Sequence, residues 1–263
     1  MAQLSAYLAI GAAVGFLSGL LGIGGGIIIV SSLALMFAHH GFPPAYLMHM
    51  AIATSLGAML AGSLSSLRAH HQHGAVDWSV VKLMTPGLVA GSMGGAALAR
   101  FMPPAFLKYA FLAITLFVTL QMVAGFGPKA SRELPNRAGL AGAGFPIGVI
   151  SGLFGGGAAA IGVPFLTWCN VSTHRAIGTV AALAFPLALA GSIGYAAAGW
   201  DIPGRPRWSI GFVYLPALVG ISASSMLLAP FGARLAHRMP ARRLRRIFAV
   251  VLLAMSAKVA VSI

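Results

Sequence analysis

The chain has 263 residues, 59% of them hydrophobic and only 8% charged, whereas an ordinary soluble domain is about a quarter charged. Seventeen Lys and Arg against three acids, Asp77, Glu133 and Asp201, give a formal charge of +14. A soluble domain is excluded, and the 34 glycines, set in long apolar runs with no G-X-Y period, exclude collagen and a polar disordered chain.

What remains is an all-α polytopic membrane protein, with the lipid bilayer as its first partner. The basic residues fall between apolar segments, where the positive-inside rule puts them. No basic face interleaved with aromatics points to nucleic acid. Cys169 is the single cysteine, so no internal disulfide can form. Met1, Ala2 and Gln3 lack the basic start of a signal peptide, and the first apolar run is expected to stay in the membrane. The expected location is multi-pass in the cell inner membrane.

A spanning helix needs about 20 mostly apolar residues. In chain order, apolar stretches cover 4–38, 48–67, 80–99, 105–125, 138–169, 174–199, 209–233 and 243–262. A continuous helix of about 35 residues would extend roughly 52 Å, far beyond a hydrocarbon core about 30 Å thick. The first and fifth stretches must therefore break or fold back, and each carries a glycine cluster where the break is needed. The first holds Gly15, Ser18, Gly19, Gly22, Gly24, Gly25 and Gly26; the fifth holds Gly148, Ser151, Gly152, Gly155, Gly156 and Gly157. They match at one constant offset, which pairs Val30 with Val163 and sets Pro164 opposite Ser31.

Later segments match as well. Ala51, Ile52, Ala53 and Thr54 answer Ala176, Ile177, Gly178 and Thr179; Ala61, Gly62 and Ser63 answer Ala190, Gly191 and Ser192; Pro86 answers Pro216, and Met102 and Pro103 answer Met239 and Pro240. The chain reads as a duplication: a first transmembrane repeat over 1–125, a polar linker over 126–137 rich in turn formers and charges, and a second repeat over 138–263.

Orientation depends on how the long stretches fold. If each crosses once with a kink, the halves are parallel; if each is a hairpin turning at its glycines, three crossings follow it and the halves are inverted. The inverted arrangement puts Arg68, Lys82, Lys129, Arg132, Arg137 and Arg175 on the same side as the arginine cluster Arg234, Arg238, Arg242, Arg243, Arg245 and Arg246. The parallel one leaves only Arg100, Lys108 and Arg175 with that cluster. Charge favours inverted repeats, each opening with a Gly-broken helical hairpin followed by three spanning helices.

Backbone that leaves the helix inside a membrane must be buried in protein or line a wet cavity. Where a half-helix starts after Gly24, Gly25 and Gly26, or after Gly155, Gly156 and Gly157, its unpaired N–H groups and positive dipole end face any anion placed there. The competing reading is that these glycines serve helix packing, the role expected of Gly62, Gly91, Gly94, Gly95 and Gly191. Nearby hydroxyls and amides complete the candidate site: Ser18, Ser31, Thr54 and Ser55 in the first half, Ser151, Asn170, Thr179 and Ser192 in the second.

The S-G-L-(L/F)-G-x-G-(G) signature at 18–25 and 151–157, the pair Val163 and Pro164, and the Ala-Ile-(Ala/Gly)-Thr stretch opening the next helix resemble the TauE/SafE sulfite exporter family over nearly the whole chain. The resemblance implies transport of a small sulfur-containing anion such as sulfite, thiosulfate, a sulfonate or sulfoacetate. The sequence departs from its own duplicated pattern at Ser31, where a proline would match, and at Ala158 and Ala159, which replace glycines of the first copy.

His70, His71 and His73 form a short tract that reads either as metal ligands or as a solvated helix end. His49 and His174 sit at corresponding starts and read either as interfacial helix caps or as groups that titrate in a proton-coupled cycle. Cys169 lies five residues before His174, too far for a helical nucleophile and base, so no enzyme chemistry and no cofactor is expected. All three acids fall in predicted loops, which leaves no carboxylate proton relay inside the bilayer. Export of an anion from an inside-negative cell is favoured by about 2.3 kcal/mol per charge per 100 mV. The alternatives are uptake of an organosulfonate by proton or sodium coupling, and a membrane thiol or metal-handling protein using Cys169 with His70, His71 and His73.

Overall fold

The structure, a computed structural model, describes residues 2–21, 25–124, 131–156, 158–236 and 241–262. Among them are ten helices: α1 (Ala2–Leu21), α2 (Gly26–His39), α3 (Leu47–Gln72), α4 (Trp78–Ala99), α5 (Pro104–Ala124), α6 (Arg137–Phe154), α7 (Ala158–Trp168), α8 (Thr173–Ala198), α9 (Leu215–Ala236) and α10 (Ala241–Ser262). Both long apolar stretches break at their glycines, the first into α1 and α2, the second into α6 and α7. Four helices, α3, α5, α6 and α8, are long and apolar enough to cross a membrane, and α2, α7 and parts of α1, α9 and α10 are shorter apolar helices.

The seventh stretch begins differently from its expected helix at 209. Residues 209–214 form a small antiparallel hairpin, β1 (Ser209–Ile210) with β2 (Val213–Tyr214). Gly211 at φ 57° and Trp208 at φ 68° reverse the chain there, and a left-handed residue cannot continue a helix. The ring of Tyr214 then packs on Tyr7, Phe37 and Phe42, which anchors the hairpin before α9 starts.

The two halves repeat one element order: a helix, a glycine break, a shorter helix, a 26-residue helix and two more. Their contacts cross over. The largest helix interfaces are α4 on α6 and α1 on α9, each joining one half to the other. In the first, an added methyl would meet backbone on the facing helix: Gly95 against Val149 O, Gly152 against Ser92 O, and Gly91, Gly144 and Gly148 at similar contacts. Residue numbers rise together across this interface, so α4 and α6 run parallel. Gly11 and Gly15 do the same for α1 against Ile221 and Ser225 of α9. Lipid offers no hydrophobic drive to join helices, so backbone-to-backbone approach through glycine supplies dispersion contact in its place.

The long central helices run the other way. Gly178, near the start of α8, lies on Ala75 just past the end of α3, while Gly191, late in α8, lies on Leu56, early in α3. The start of α5 meets the end of α10, where Lys108 Nζ donates to Ala260 O at 3.0 Å. Two of the sequence matches are out of step with these helices. Thr54 with Thr179 and Gly62 with Gly191 differ by one turn, which unbroken α3 and α8 cannot accommodate together. Pro86 lies more than two turns into α4, whereas Pro216 is the second residue of α9. Met239 and Pro240 lie outside the described residues.

Substituting Gly148 by Leu forces side-chain atoms into Leu88 O and Ser92 N and is expected to lower stability by about 1–3 kcal/mol or more. Gly94→Ala, which meets nothing within 4 Å, is expected to leave the melting temperature in detergent unchanged or slightly raised. Equal melting of the two variants would contradict this packing scheme.

Candidate functional site

The two glycine breaks meet. α6 ends where Gly155 takes φ 71° and donates its N–H to Ser151 O, and Gly156 follows at φ 154° with its N–H on the same carbonyl at 3.2 Å. Residues with a Cβ rarely adopt either angle, which fixes glycine at both places. On the other side, Gly25 stands at the turn and α2 begins at Gly26. An added methyl at Gly26 would lie 2.6 Å from Gly155 O and 3.2 Å from Gly156 Cα; one at Gly155 would lie 2.7 Å from Val30 and 3.3 Å from Ile52. Backbone therefore touches backbone, closed to solvent.

Ser55 ties this junction to α3. Its hydroxyl donates to Gly26 O at 3.1 Å and shares a longer contact, 3.3 Å, with Gly155 O. Among the described residues no side chain caps the start of α2, whose first closed backbone bond runs from Ile29 N to Gly25 O. The N–H groups of Gly26, Ile27 and Ile28 thus have no intrahelical acceptor, and they carry the positive end of the α2 dipole. At 1.5 Å per residue, α2 leads about 21 Å from the junction to the turn at 40–46, and α7 about 16 Å to the turn at 169–172.

The matched threonines serve a different purpose from the one the glycine site would give them. Thr54 Oγ1 accepts from Tyr214 N at 3.0 Å, and Thr179 Oγ1 accepts from Asp77 N at 3.0 Å. Each threonine, on the long helix of one half, holds the residue that precedes α9 or α4 of the other half. Ser31 Oγ is spent on Ile27 O within α2. Ser92, which sequence reading passes over, is fully buried on α4 and donates to Leu187 O at 3.0 Å; a lone hydroxyl between Gly91 and Gly95 was its only signal. Gly24 and Gly157 lie outside the described residues, as does the side chain of Ser18.

Asn170 does not join them. It caps the far end of α7 at φ 65°, exposed, and lines a surface cavity of about 470 Å³ with Asp77, Glu133, Cys169, Ser172 and Arg175. Here Asp77 accepts from Ser79 N and Val80 N as the N-cap of α4 and pairs with Arg175 at 3.6 Å, which gives one of the three acids a structural task. Burial pushes the Cys169 thiol up, against the opposing pull of Arg132, so it stays protonated and weakly nucleophilic. His71 Nδ1 accepts from Trp78 Nε1 at 3.2 Å, and His73 is exposed. Among the described residues, no three His, Cys, Asp or Glu side chains converge as metal ligands. His49 is buried and donates from Nε2 to Ala99 O at 2.8 Å, whereas its counterpart His174 is exposed.

A bundle of apolar helices, broken twice and joined through its own backbone, is a multi-pass membrane protein. The profile of the family described as "Sulfite exporter TauE/SafE" matches residues 7–259, and the chain belongs to that family. It is 30% identical over 257 residues to a Haemophilus influenzae protein named "Probable membrane transporter protein", with 94% of each chain covered. A Bacillus subtilis protein of the same description is 29% identical, covering 86% of this chain and 87% of its own. One from Methanocaldococcus jannaschii is 23% identical, covering 92% and 90%. No solved structure matches the chain.

Replacing Thr54 or Thr179 by Val leaves the backbone N–H of Tyr214 or Asp77 without its acceptor and is expected to cost about 1–3 kcal/mol each. The two sites share no partner, so the double variant should show the sum of the two losses in thermal unfolding. A neutral result for both would remove their bracing role.

Proposed function

We propose that the chain transports a small sulfur-containing oxyanion, sulfite, thiosulfate or a sulfonate such as sulfoacetate, across the cell inner membrane, in the export direction. The observation that carries this reading is the meeting of the two glycine breaks, which sets the start of α2 beside Gly155 and Gly156. Uncapped N–H groups at a helix start favour negative charge. Neutral donors let the anion leave again, where a buried arginine would hold it. Gly25, Gly26, Gly155, Gly156 and Ser55 form the core of the proposed site, with Gly24 and Gly157 beside them in sequence. Ser31, Thr54 and Thr179 support it from one step away, through the helices they brace.

The same reading takes the halves as inverted repeats, residues 1–125 and 138–263. The antiparallel run of α3 against α8 and of α5 against α10 supports it. So does the pairing of Asp77 with Arg175 and of Ser131 with Trp168, since a kinked, once-crossing first stretch would send those turns to opposite faces. With α2 and α7 leading to opposite faces over similar lengths, the junction falls about midway through the bilayer, the usual depth for substrate in inverted-repeat transporters. The closed backbone contact is then an occluded form, which opens when one half rocks on the other. The charge term favours export, at about 2.3 kcal/mol per negative charge per 100 mV, inside negative.

Purified protein in liposomes should move sulfite, thiosulfate or sulfoacetate, faster when the membrane potential drives the anion outward. Gly26→Ala, which presses a methyl on Gly155 and Met59, should reduce the flux at least tenfold while Gly94→Ala does not. Failure of all three anions with folded protein would overturn the reading, and uptake strictly dependent on a proton or sodium gradient would overturn its direction.

A further inference from the structure

Among the described residues, the buried serines and threonines almost all have hydrogen-bond partners. Ser31 donates to Ile27 O, Ser92 to Leu187 O, Thr115 to Phe111 O, Thr119 to Thr115 O and Ser224 to Gly220 O, while Ser55 is committed to the junction and Thr54 and Thr179 to backbone N–H groups. Among the fully buried serines and threonines of the described residues Ser151 is the exception, and the phenols of Tyr7 and Tyr195 are likewise without a partner. Ser151 is 0% exposed, yet its Oγ has no hydrogen-bond partner. A serine in a helix can ordinarily satisfy itself on the carbonyl one turn back; Ser151 does not. An unsatisfied buried hydroxyl carries a desolvation penalty with nothing returned for it in this conformation.

Its position gives it a use. Ser151 lies one turn before Gly155 on the same side of α6, and its own carbonyl is the acceptor that shapes the break, taking the N–H groups of both Gly155 and Gly156. Gly152, the next residue, sits on Ser92 of α4. The residue that carries the free hydroxyl is therefore the one whose carbonyl shapes the break, one turn from the junction on the side of α6 that leads to Gly155.

We propose that Ser151 Oγ–H donates a hydrogen bond to an oxygen of the transported oxyanion, complementing the N–H groups at the start of α2. This rests on the anion-transport reading above and names a residue that sets affinity within that site. The donor is neutral and single, so it suits an S–O⁻ oxygen that binds and leaves. The cost it carries in the closed form is recovered when the anion is present.

The test measures sulfite flux in proteoliposomes and thermal unfolding in parallel for wild type, Ser151→Ala, Ser151→Cys and Ser209→Ala. Ser209 is a control because its hydroxyl is likewise buried without a partner, but in the β1 strand. Ser151→Ala should raise the KM for sulfite about tenfold or more, the loss of one hydrogen bond to a charged group, with the melting temperature unchanged or higher. Ser151→Cys, a weak donor of similar shape, should fall between, and Ser209→Ala should keep the wild-type KM. An unchanged KM in Ser151→Ala with active wild type would overturn the proposal. So would a loss of flux that tracks a fall in melting temperature, which marks a purely structural role. If wild type moves none of sulfite, thiosulfate and sulfoacetate, the transport reading itself fails, and this assignment with it.

Discussion

Hydrocarbon cannot satisfy a broken backbone, and the contact of Gly26 with Gly155 and Gly156 is how this chain meets that constraint twice at once. Among the described residues, each break packs its backbone directly on the other. Gly155 and Gly156 supply conformations that other residues rarely take, and Gly26 supplies the clearance. Ser55 then draws the carbonyls of Gly26 and Gly155 toward α3. Any Cβ at Gly26 would push the two breaks apart where their backbone is least able to bond itself.

The rest of the bundle joins the two halves around this contact. α4 on α6 and α1 on α9 join the halves through small residues that let backbone approach backbone. Thr54 and Thr179 add one polar tie on each side, between the long helix of one half and the entry to a helix of the other. Charged groups stay at the ends: Asp77 is consumed as a helix cap and a partner for Arg175, and Glu133 and Asp201 are exposed in loops. Among the described residues, the buried polar side chains are serines, threonines, tyrosines and His49.

Much of this was legible in the sequence because its signals are long and repeated. Two apolar stretches too long for one crossing, with glycines in their middle, located both breaks to within a few residues of α1, α2, α6 and α7. The Ala-Ile-x-Thr match found the threonines that make equivalent bonds. Other signals were too short. Ala61, Gly62 and Ser63 resemble Ala190, Gly191 and Ser192 only because small residues recur along any tightly packed helix, and the helical register rejects the pairing. The hairpin at 209–214 was hidden in an apolar run, since a left-handed Trp208 has no compositional mark. Asn170, grouped with the glycine site by its chemistry, is carried away from it by the full length of α7. Sequence also could not tell a bonded hydroxyl from a free one, the difference between Ser31 and Ser151.

The central claim is that the meeting point of the two breaks is where the anion sits. Selenite shares the charge and pyramidal shape of sulfite and carries a heavy atom that can be located by its anomalous X-ray scattering. Crystals of the protein grown with selenite should show a selenium peak between the start of α2 and Gly155 and Gly156, within hydrogen-bonding reach of Ile27 N, with those segments parted. A peak confined to the surface cavity near Asn170 and Arg175, with the glycine contact still closed, would contradict the account.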